Sequence, residues 1–326
     1  MTSTERTVYV YDLVVGKRAA HAPIASLTDL AAVFMTQYNS GDCKHALNNG
    51  TLIYRIGDIA IDSQSGVLTL LIRRADQNAP EAAYSHIETG QLRFASKTDD
   101  EGGDTGAHLT ISTIQEVNKP GTYLCMFEGV PGISHRPVKS LLNSIIRNAC
   151  QCNPSLFEYE DPSGARTANG SPNGAPKRKT FVPHLDLRGH MSDDLIRELE
   201  RGTVEGIELV KSQLTTQLGG DPYLVHDEFS LKVKAVNIPA TNRFSRIMTA
   251  MQRQKSFKTG RITFKNEDGR VRSIVYNLDT GTPEQASYVK SFPVNGITPP
   301  LAQSSLAIAP QLTTAMTTEL IRQRRI

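Results

Sequence analysis

Residues 123–146 read YLCMFEGVPGISHRPVKSLLNSII and join a strand to a helix through a turn rich in glycine and proline. The first residues form an apolar, β-prone run that ends at the turn Gly129–Gly132. Ser134 is suited to cap a helix, and apolar residues then recur at helical spacing from Val138 to Ala149. The stretch therefore predicts mixed α and β structure.

The residues before this stretch continue the same pattern. Apolar or alternating runs predict strands, and Ser26 precedes a run with helical spacing. The turn Ser63–Gly66 joins two strand-like runs into a predicted hairpin, with Gly66 able to take positive φ. The predicted elements are strand Thr7–Val15, a helix from Ser26 to Tyr38, and strands Leu52–Asp62, Val67–Ala75, His108–Gln115 and Thr122–Gly129.

The second half alternates strands and helices in a recognisable order. Strand, helix, strand, strand, helix and strand is the βαββαβ order of a ferredoxin-like unit, here with one added edge strand. A short helix is predicted near the carboxyl end, around Leu312–Ile321. The elements of the unit are strand Phe181–Leu187, a helix from Ser192 to Gly202, strands Val204–Val210 and Leu224–Val236, helix Thr241–Gln254, and the hairpin Arg261–Lys265 with Val271–Asn277.

The chain of 326 residues is long enough for two hydrophobic cores, and a change in composition near its middle indicates a boundary between two domains. We expect an α+β protein of two domains, each with antiparallel sheets and helices on one face. The segment Asp161–Lys179 is rich in Gly, Pro, Ser and Asn and predicts a linker. The expected boundaries are an N-terminal α+β domain at 1–158, a flexible linker or loop at 159–180, a basic ferredoxin-like domain at 181–280 and a C-terminal extension at 281–326.

Composition restricts the class of protein. The four cysteines are irregularly spaced, so they do not predict a disulfide framework. The first residues lack the apolar stretch of a signal peptide, and we therefore expect a cytoplasmic protein. No phosphate loop, nucleophile elbow, zinc helix or dinucleotide fingerprint is present. We therefore expect no catalytic residues, no metal, no cofactor and no small-molecule substrate, and the sequence does not predict an enzyme.

Charge is segregated in the second half. Between Thr241 and Lys265 there are seven basic residues and no acidic one, although the whole chain carries a net charge of only +3. Cations gathered on one surface bind phosphates by releasing counterions, whereas ordinary solvated faces mix both signs. A solvated helix face is the simpler alternative. The predicted nucleic-acid-binding residues are Lys232, Lys234, Arg243, Arg246, Arg253, Lys255, Lys258, Arg261, Lys265, Arg270 and Arg272.

Two other functions stay open at this point. A metal-dependent nuclease would use the candidate metal ligands His184, Asp186, Asp227 and Glu228. Common nuclease cores, however, place an acid two residues before a lysine on one strand, and here the lysine that follows Glu228 is Lys232. A protein-binding effector or scaffold would present the apolar stripe Val138–Ala149 as a docking face. The basic triplet Lys177–Lys179 and the terminal Arg322, Arg324 and Arg325 are suited to phosphate contact or to plain solvation.

Three stretches together resemble the RexA family, the DNA-binding components of phage-exclusion systems in lambdoid prophages. They are Tyr123–Ile146, Val225–Ala250 and Arg261–Gly281, with a weaker likeness at Leu68–Leu92, and they cover roughly a third of the chain. The resemblance implies sequence-tolerant binding of double-stranded DNA, a homodimer, two domains that can move relative to each other, and a role in antiviral defence. It also implies a membrane protein partner of the RexB kind encoded nearby.

Overall fold

The structure is a computed structural model and describes residues 3–117, 119–164, 176–212, 228–233, 243–254, 256–266, 269–278, 282–283 and 288–324. The chain is mixed α and β, with mostly antiparallel sheets, and five α-helices occur in these ranges. It divides into two compact units. Unit 1 comprises Met1–Leu187 with Phe292–Ile326, and unit 2 comprises Arg188–Ser291.

Unit 1 is built on an eight-stranded sheet. Its strands are β1 (Arg6–Gly16), β2 (Lys44–Leu47), β3 (Leu52–Asp62), β4 (Val67–Asp76), β7 (Gly103–Ser112), β8 (Thr122–Glu128), β11 (His184–Gly189) and β17 (Ser291–Val294). The hydrogen-bonded order is β11-β1-β8-β7-β4-β3-β2, and β17 also pairs with β1. The pairs β1–β8, β7–β8, β4–β7, β3–β4 and β2–β3 are antiparallel.

Helices cover both faces of this sheet. They are α1 (Leu27–Asn39), α2 (His135–Cys152) and α5 (Pro310–Gln323). The even-numbered Val8 and Val10 of β1 join a core with α5, whereas Tyr11 on the opposite face contacts His135 of α2, with the ring centroids 5.6 Å apart. Since both faces are covered, β8 is buried at every position, which explains the continuous apolar run in its sequence. The expectation of helices on one face only is wrong for unit 1.

Two short hairpins complete unit 1. The first joins β5 (Ala82–Ser85) to β6 (Leu92–Ala95), and neither strand was anticipated from the sequence. The second pairs β9 (Glu158–Glu160) with β10 (Arg178–Thr180) and so brings the two ends of the predicted linker together. The ion pair between Lys179 Nζ and Asp161 Oδ1, at 3.0 Å, lies at the same place, and residues 165–175 fall outside the described ranges.

Unit 2 is a smaller sheet with two helices. Its elements are α3 (Asp193–Arg201), β12 (Thr203–Ser212), β13 (Glu228–Val233), α4 (Arg243–Gln252), β14 (Thr259–Lys265), β15 (Val271–Asn277) and β16 (Thr282–Pro283). The strand order is β13-β12-β14-β15-β16, and every pair is antiparallel. Ser192 caps α3 by accepting a hydrogen bond from the Leu195 N–H at 3.2 Å, and Gly269 (φ 77°) forms the β14–β15 turn.

The ferredoxin-like arrangement is not confirmed. The strand that would begin it, β11, pairs with β1 in the unit 1 sheet, and the five strands of unit 2 lie in a different order from that motif. The expected 281–326 extension is also divided, because α5 packs against β7 and β8 in unit 1. Within the described part of the chain, no helix combines the length and apolar composition needed to cross a bilayer.

Candidate nucleic-acid interface

The unit 2 sheet has a covered face and an open face. Ile207, Ile262 and Ile274 are neighbours across β12, β14 and β15, and all three belong to the core beneath α3 and α4. Residues one position away along each strand point to the other side, because side chains alternate in a strand. This alternation decides where each predicted cation lies.

Helix α4 presents a basic outer side. Phe244, Ile247, Met248 and Met251 are buried in the unit 2 core, as their helical spacing predicts. Other residues of the helix are exposed to solvent on its outer side, and Arg253 is exposed directly after its last turn. We define the α4 surface as five of these exposed residues: Ser245, Arg246, Thr249, Gln252 and Arg253.

The α4 surface is free of carboxylates. Residues 243–254 contain no Asp or Glu, and neither Arg246 nor Arg253 has a carboxylate partner among the described residues. These two arginines are seven positions apart, so their Cα atoms are about 10 Å apart along a helix and on one side of it. Thr249 lies between them and is small enough for a ligand to approach the helix backbone.

Three other predicted residues lie on the open face of the sheet. Lys232 and Arg261 are the cross-strand neighbours of Glu208 on β12, and Lys265 lies farther along β14. Glu208 partly neutralises this face, because its Oε2 is 3.0 Å from the Arg261 guanidinium. Ser230, Thr263 and Ser273 add neutral hydrogen-bonding groups to the same side.

Two further predicted cations, besides Arg261, have structural partners within unit 2. Arg243 donates a hydrogen bond to the Gly202 carbonyl, at the point where α3 ends. Arg272 lies on the covered face and donates two hydrogen bonds to the Glu198 carboxylate of α3, at 3.0 and 3.1 Å. The Arg272 pair joins α3 to the sheet, and the Arg243 hydrogen bond joins α4 to the end of α3. These two cations are therefore less suited to meet phosphate than Arg246 and Arg253, which have no carboxylate partner among the described residues.

The predicted single basic surface is therefore wrong as a geometric statement. Arg246 and Arg253 lie on the helix side of the sheet, whereas Lys232, Arg261 and Lys265 lie on its opposite side. Lys258 and Arg270 are exposed in the segments that flank β14 and β15. Lys234 and Lys255 fall outside the described residues. The sequence does not reveal this division, because side chains alternate between two faces in a strand but recur on one face every three to four residues in a helix.

The other candidate sites fare as follows. His184 and Asp186 share one side of β11, but Asp186 is 3.1 Å from Lys139 Nζ, and no group of three metal-ligating side chains occurs among the described residues. Asp227 lies outside the described residues, and so does the Glu228 side chain. The nuclease alternative therefore stays a prediction, because two of its four residues cannot be placed.

The apolar stripe Val138–Ala149 is core. Val138, Leu141, Leu142, Ile145 and Ile146 are each 0% exposed, which corrects the prediction of a docking face there. The basic groups flanking the linker are also engaged, since Arg178 is 3.2 Å from Glu158. At the carboxyl end Arg322 is paired with Glu319, Arg324 donates to the carbonyls of Ser65 and Gly66, and Arg325 is outside the described residues.

A buried ionic cluster in unit 1 was not predicted. The Glu128 carboxylate accepts hydrogen bonds from Arg6 Nε and His108 Nδ1, both at 2.7 Å, and all three residues are buried. His108 Nε2 in turn accepts a hydrogen bond from the Ala309 N–H at 3.0 Å, directly before α5. The cluster joins β1, β7 and β8 to the start of α5. Its residues are far apart in sequence, so no local signal could reveal it.

This cluster borders the cavity between the sheet and the 297–311 segment. The cavity has a volume of about 490 Å³, and its other walls are mainly apolar, including Leu71 and Ile308. The polar atoms of His108 and Glu128 that reach it already have protein partners. None of the buried side-chain polar atoms that lack a hydrogen-bond partner among the described residues belongs to the lining of this cavity, so its wall does not require a ligand.

No model of a known protein family matches this chain, and no curated protein is significantly similar to it. The resemblance to RexA remains a prediction from the residues quoted above.

Proposed function

We propose that unit 2 binds double-stranded DNA with little sequence preference, and that the α4 surface makes the central contact. The observation that supports this most is the pair Arg246 and Arg253, exposed on one side of a helix that carries no acid. A major groove about 12 Å wide admits an α-helix, and cations along one side of that helix reach phosphates at the edge of the groove.

The neutral residues of the α4 surface suit the same role. Ser245, Thr249 and Gln252 can donate hydrogen bonds to phosphate or sugar oxygens, contacts that position a protein without selecting a sequence. No bidentate pairing with a particular base is needed. Lys258 and Arg270 lie in adjoining segments and are proposed as peripheral contacts.

The biological role proposed here follows the resemblance to RexA. In this proposal the protein is a non-catalytic component of phage exclusion or antiviral defence, acts in the cytoplasm as a homodimer, and works with a membrane protein encoded nearby. A prophage context and a neighbouring gene for a small membrane protein would support that role. Genes of unrelated metabolism on both sides would contradict it.

Gel retardation of a short duplex of arbitrary sequence tests the DNA-binding proposal. We expect the double variant Arg246→Glu/Arg253→Glu to abolish retardation. The milder variant Arg246→Gln/Arg253→Gln removes two phosphate contacts without adding repulsion, and it should reduce the slope of log K against log salt by about 1.8. Unchanged retardation would refute the α4 assignment.

The matched control is Lys232→Glu/Lys265→Glu on the open face. It reverses the same number of charges on the same unit, and we expect it to weaken binding far less. If the control variant alone loses DNA, the interface lies on the open face and not on α4. Circular dichroism spectra and unfolding midpoints of both variants establish that each is folded.

A further inference from the structure

The β5–β6 hairpin is an exposed arm of unit 1. We define the arm as residues 81–101, and every residue from 81 to 96 is exposed. Its large apolar side chains are unusually open to solvent: Ile87 is 97% exposed, Leu92 61% and Phe94 59%. A lone two-stranded hairpin is at best marginally stable in water, and exposed apolar patches of this kind mark interaction sites.

The arm has one apolar side. Phe94 is opposite Ala83 and Leu92 is opposite Ser85, so two large apolar groups face the same way next to two small ones. Tyr84 and Arg93 occupy the other side, where the guanidinium carbon lies 4.8 Å from the ring centroid. Arg93 thus has a partner within the arm, whereas Phe94 and Leu92 lack cover.

The arm is also acidic. It contains five carboxylates, on Glu81, Glu88, Asp99, Asp100 and Glu101, but only two cations, on Arg93 and Lys97, so its net charge is −3 with His86 neutral. A surface of this sign repels nucleic acid and anionic lipid. Its occupant must therefore combine apolar area with positive charge.

The far end of the unit 1 sheet has those properties. Lys44, Arg55 and Arg73 are direct neighbours across β2, β3 and β4, and the adjacent row on the same face is Ala46, Ile53 and Ala75. We call these six residues the edge surface. β2 is the last strand of the sheet order, so no described strand pairs with its outer side.

Two of the three cations in the basic row of the edge surface have no carboxylate partner in the part of the chain that the structure describes. Arg73 is paired with Asp104, but neither Lys44 nor Arg55, both exposed, has a carboxylate partner among the described residues. Like charges directly opposite each other on neighbouring strands are destabilising. An anionic partner would remove that repulsion.

We propose that the arm of one copy of this chain docks on the edge surface of a second copy, and that the second arm does the same in return. The apolar side of the arm would cover Ala46 and Ile53, and its carboxylates would meet Lys44 and Arg55. A closed two-fold dimer requires that one chain carry both complementary surfaces, and unit 1 carries both. The inference specifies the surfaces of the homodimer included in the proposed function.

Charge reversal with complementation tests this arrangement. Lys44→Glu/Arg55→Glu makes edge and arm both acidic, and Glu81→Lys/Glu88→Lys makes both basic. We expect each variant alone to be monomeric in sedimentation velocity, its dimer dissociation constant raised by roughly 100-fold or more through like-charge repulsion. An equimolar mixture should form a heterodimer, because each arm then meets an edge of opposite sign.

The apolar contribution is tested separately. Leu92→Ser/Phe94→Ser should also yield monomers, while the control Ile321→Ser, at a residue on α5 that is 46% exposed, should remain dimeric. Any of three results would overturn the proposal: the wild-type chain is monomeric, either charge-reversal variant is dimeric by itself, or the mixture of the two variants does not associate. These measurements use no DNA, and Arg246→Glu/Arg253→Glu should remain dimeric, so a failure here is distinct from a failure of DNA binding.

Discussion

Replacement of Glu128 by Gln should strongly destabilise unit 1. The Glu128 carboxylate accepts hydrogen bonds from Arg6 Nε at 2.7 Å, from His108 Nδ1 at 2.7 Å and from the His108 backbone N–H at 3.0 Å. A glutamine side chain offers one oxygen in place of two, and its NH₂ group would face Arg6 or His108, which also donate. The substitution thus removes the charge that neutralises Arg6 and leaves at least one buried donor unsatisfied.

The magnitude follows from burial. The side chains of Arg6 and Glu128 are only 2% and 3% exposed, so solvent cannot replace the lost carboxylate. Removal of one partner of a buried ion pair costs about 3–5 kcal/mol. The exposed pair Arg178–Glu158, whose arginine side chain is 65% exposed, provides the control. Arg178→Gln should change the free energy of unfolding by about 1 kcal/mol at most.

Urea unfolding monitored by far-ultraviolet circular dichroism measures both changes. Hydrogen exchange followed by mass spectrometry locates them, and we expect faster exchange in peptides from β1, β7 and β8 but not in those from unit 2. Arg6→Met added to Glu128→Gln should recover part of the loss, since no unpaired buried cation then remains. A Glu128→Gln protein that loses less than about 1 kcal/mol would refute the reasoning.

Three further outcomes are expected. Burial and the neighbouring cations Arg136 and Lys139 hold the pKa of His135 below its ordinary 6.5. The contribution of neutral His135 to stability is therefore full above pH 6.5 and is lost as pH falls toward the lower folded-state pKa. In the variant His135→Gln, the urea midpoint should fall less steeply on acidification than in the wild-type protein. Gly202→Ala should destabilise unit 2 by about 1–3 kcal/mol, because a Cβ there would lie 2.6 Å from a backbone carbonyl oxygen; Gly206→Ala, with no atom within 4 Å, should be tolerated. Cys152 is exposed and should react with a thiol reagent in the native protein, whereas Cys43, whose pKa burial raises to about 12, should react only after unfolding.

Many of the elements were predictable because their signals are local. Ser26 begins α1 by accepting a hydrogen bond from the Asp29 N–H at 3.1 Å, and the β3–β4 hairpin turns at Gly66 with a φ of 66°, as the sequence predicts. Helix α4 buries Met248 and Met251 at the expected spacing. The Ser134 prediction is only half right, because that residue precedes α2 with an extended backbone but its side chain makes no capping hydrogen bond.

The arm was missed for an equally physical reason. Its strands have four residues each and bury nothing within their own chain, so they lack the one-sided apolar alternation that identifies a half-buried strand. The edge surface was missed because Lys44, Arg55 and Arg73 are distant in sequence and become neighbours only through strand pairing.

By itself the sequence determined the mixed α and β class, the main helices and hairpins, and the acid-free basic run around α4. These features depend on the spacing and composition of residues that are close together in sequence, so they can be read from the sequence directly. Only the tertiary structure decided which sheet each strand joins and on which side of unit 2 each cation lies. Both depend on pairings between residues far apart in sequence, where a shift of one position reverses the face that a side chain occupies.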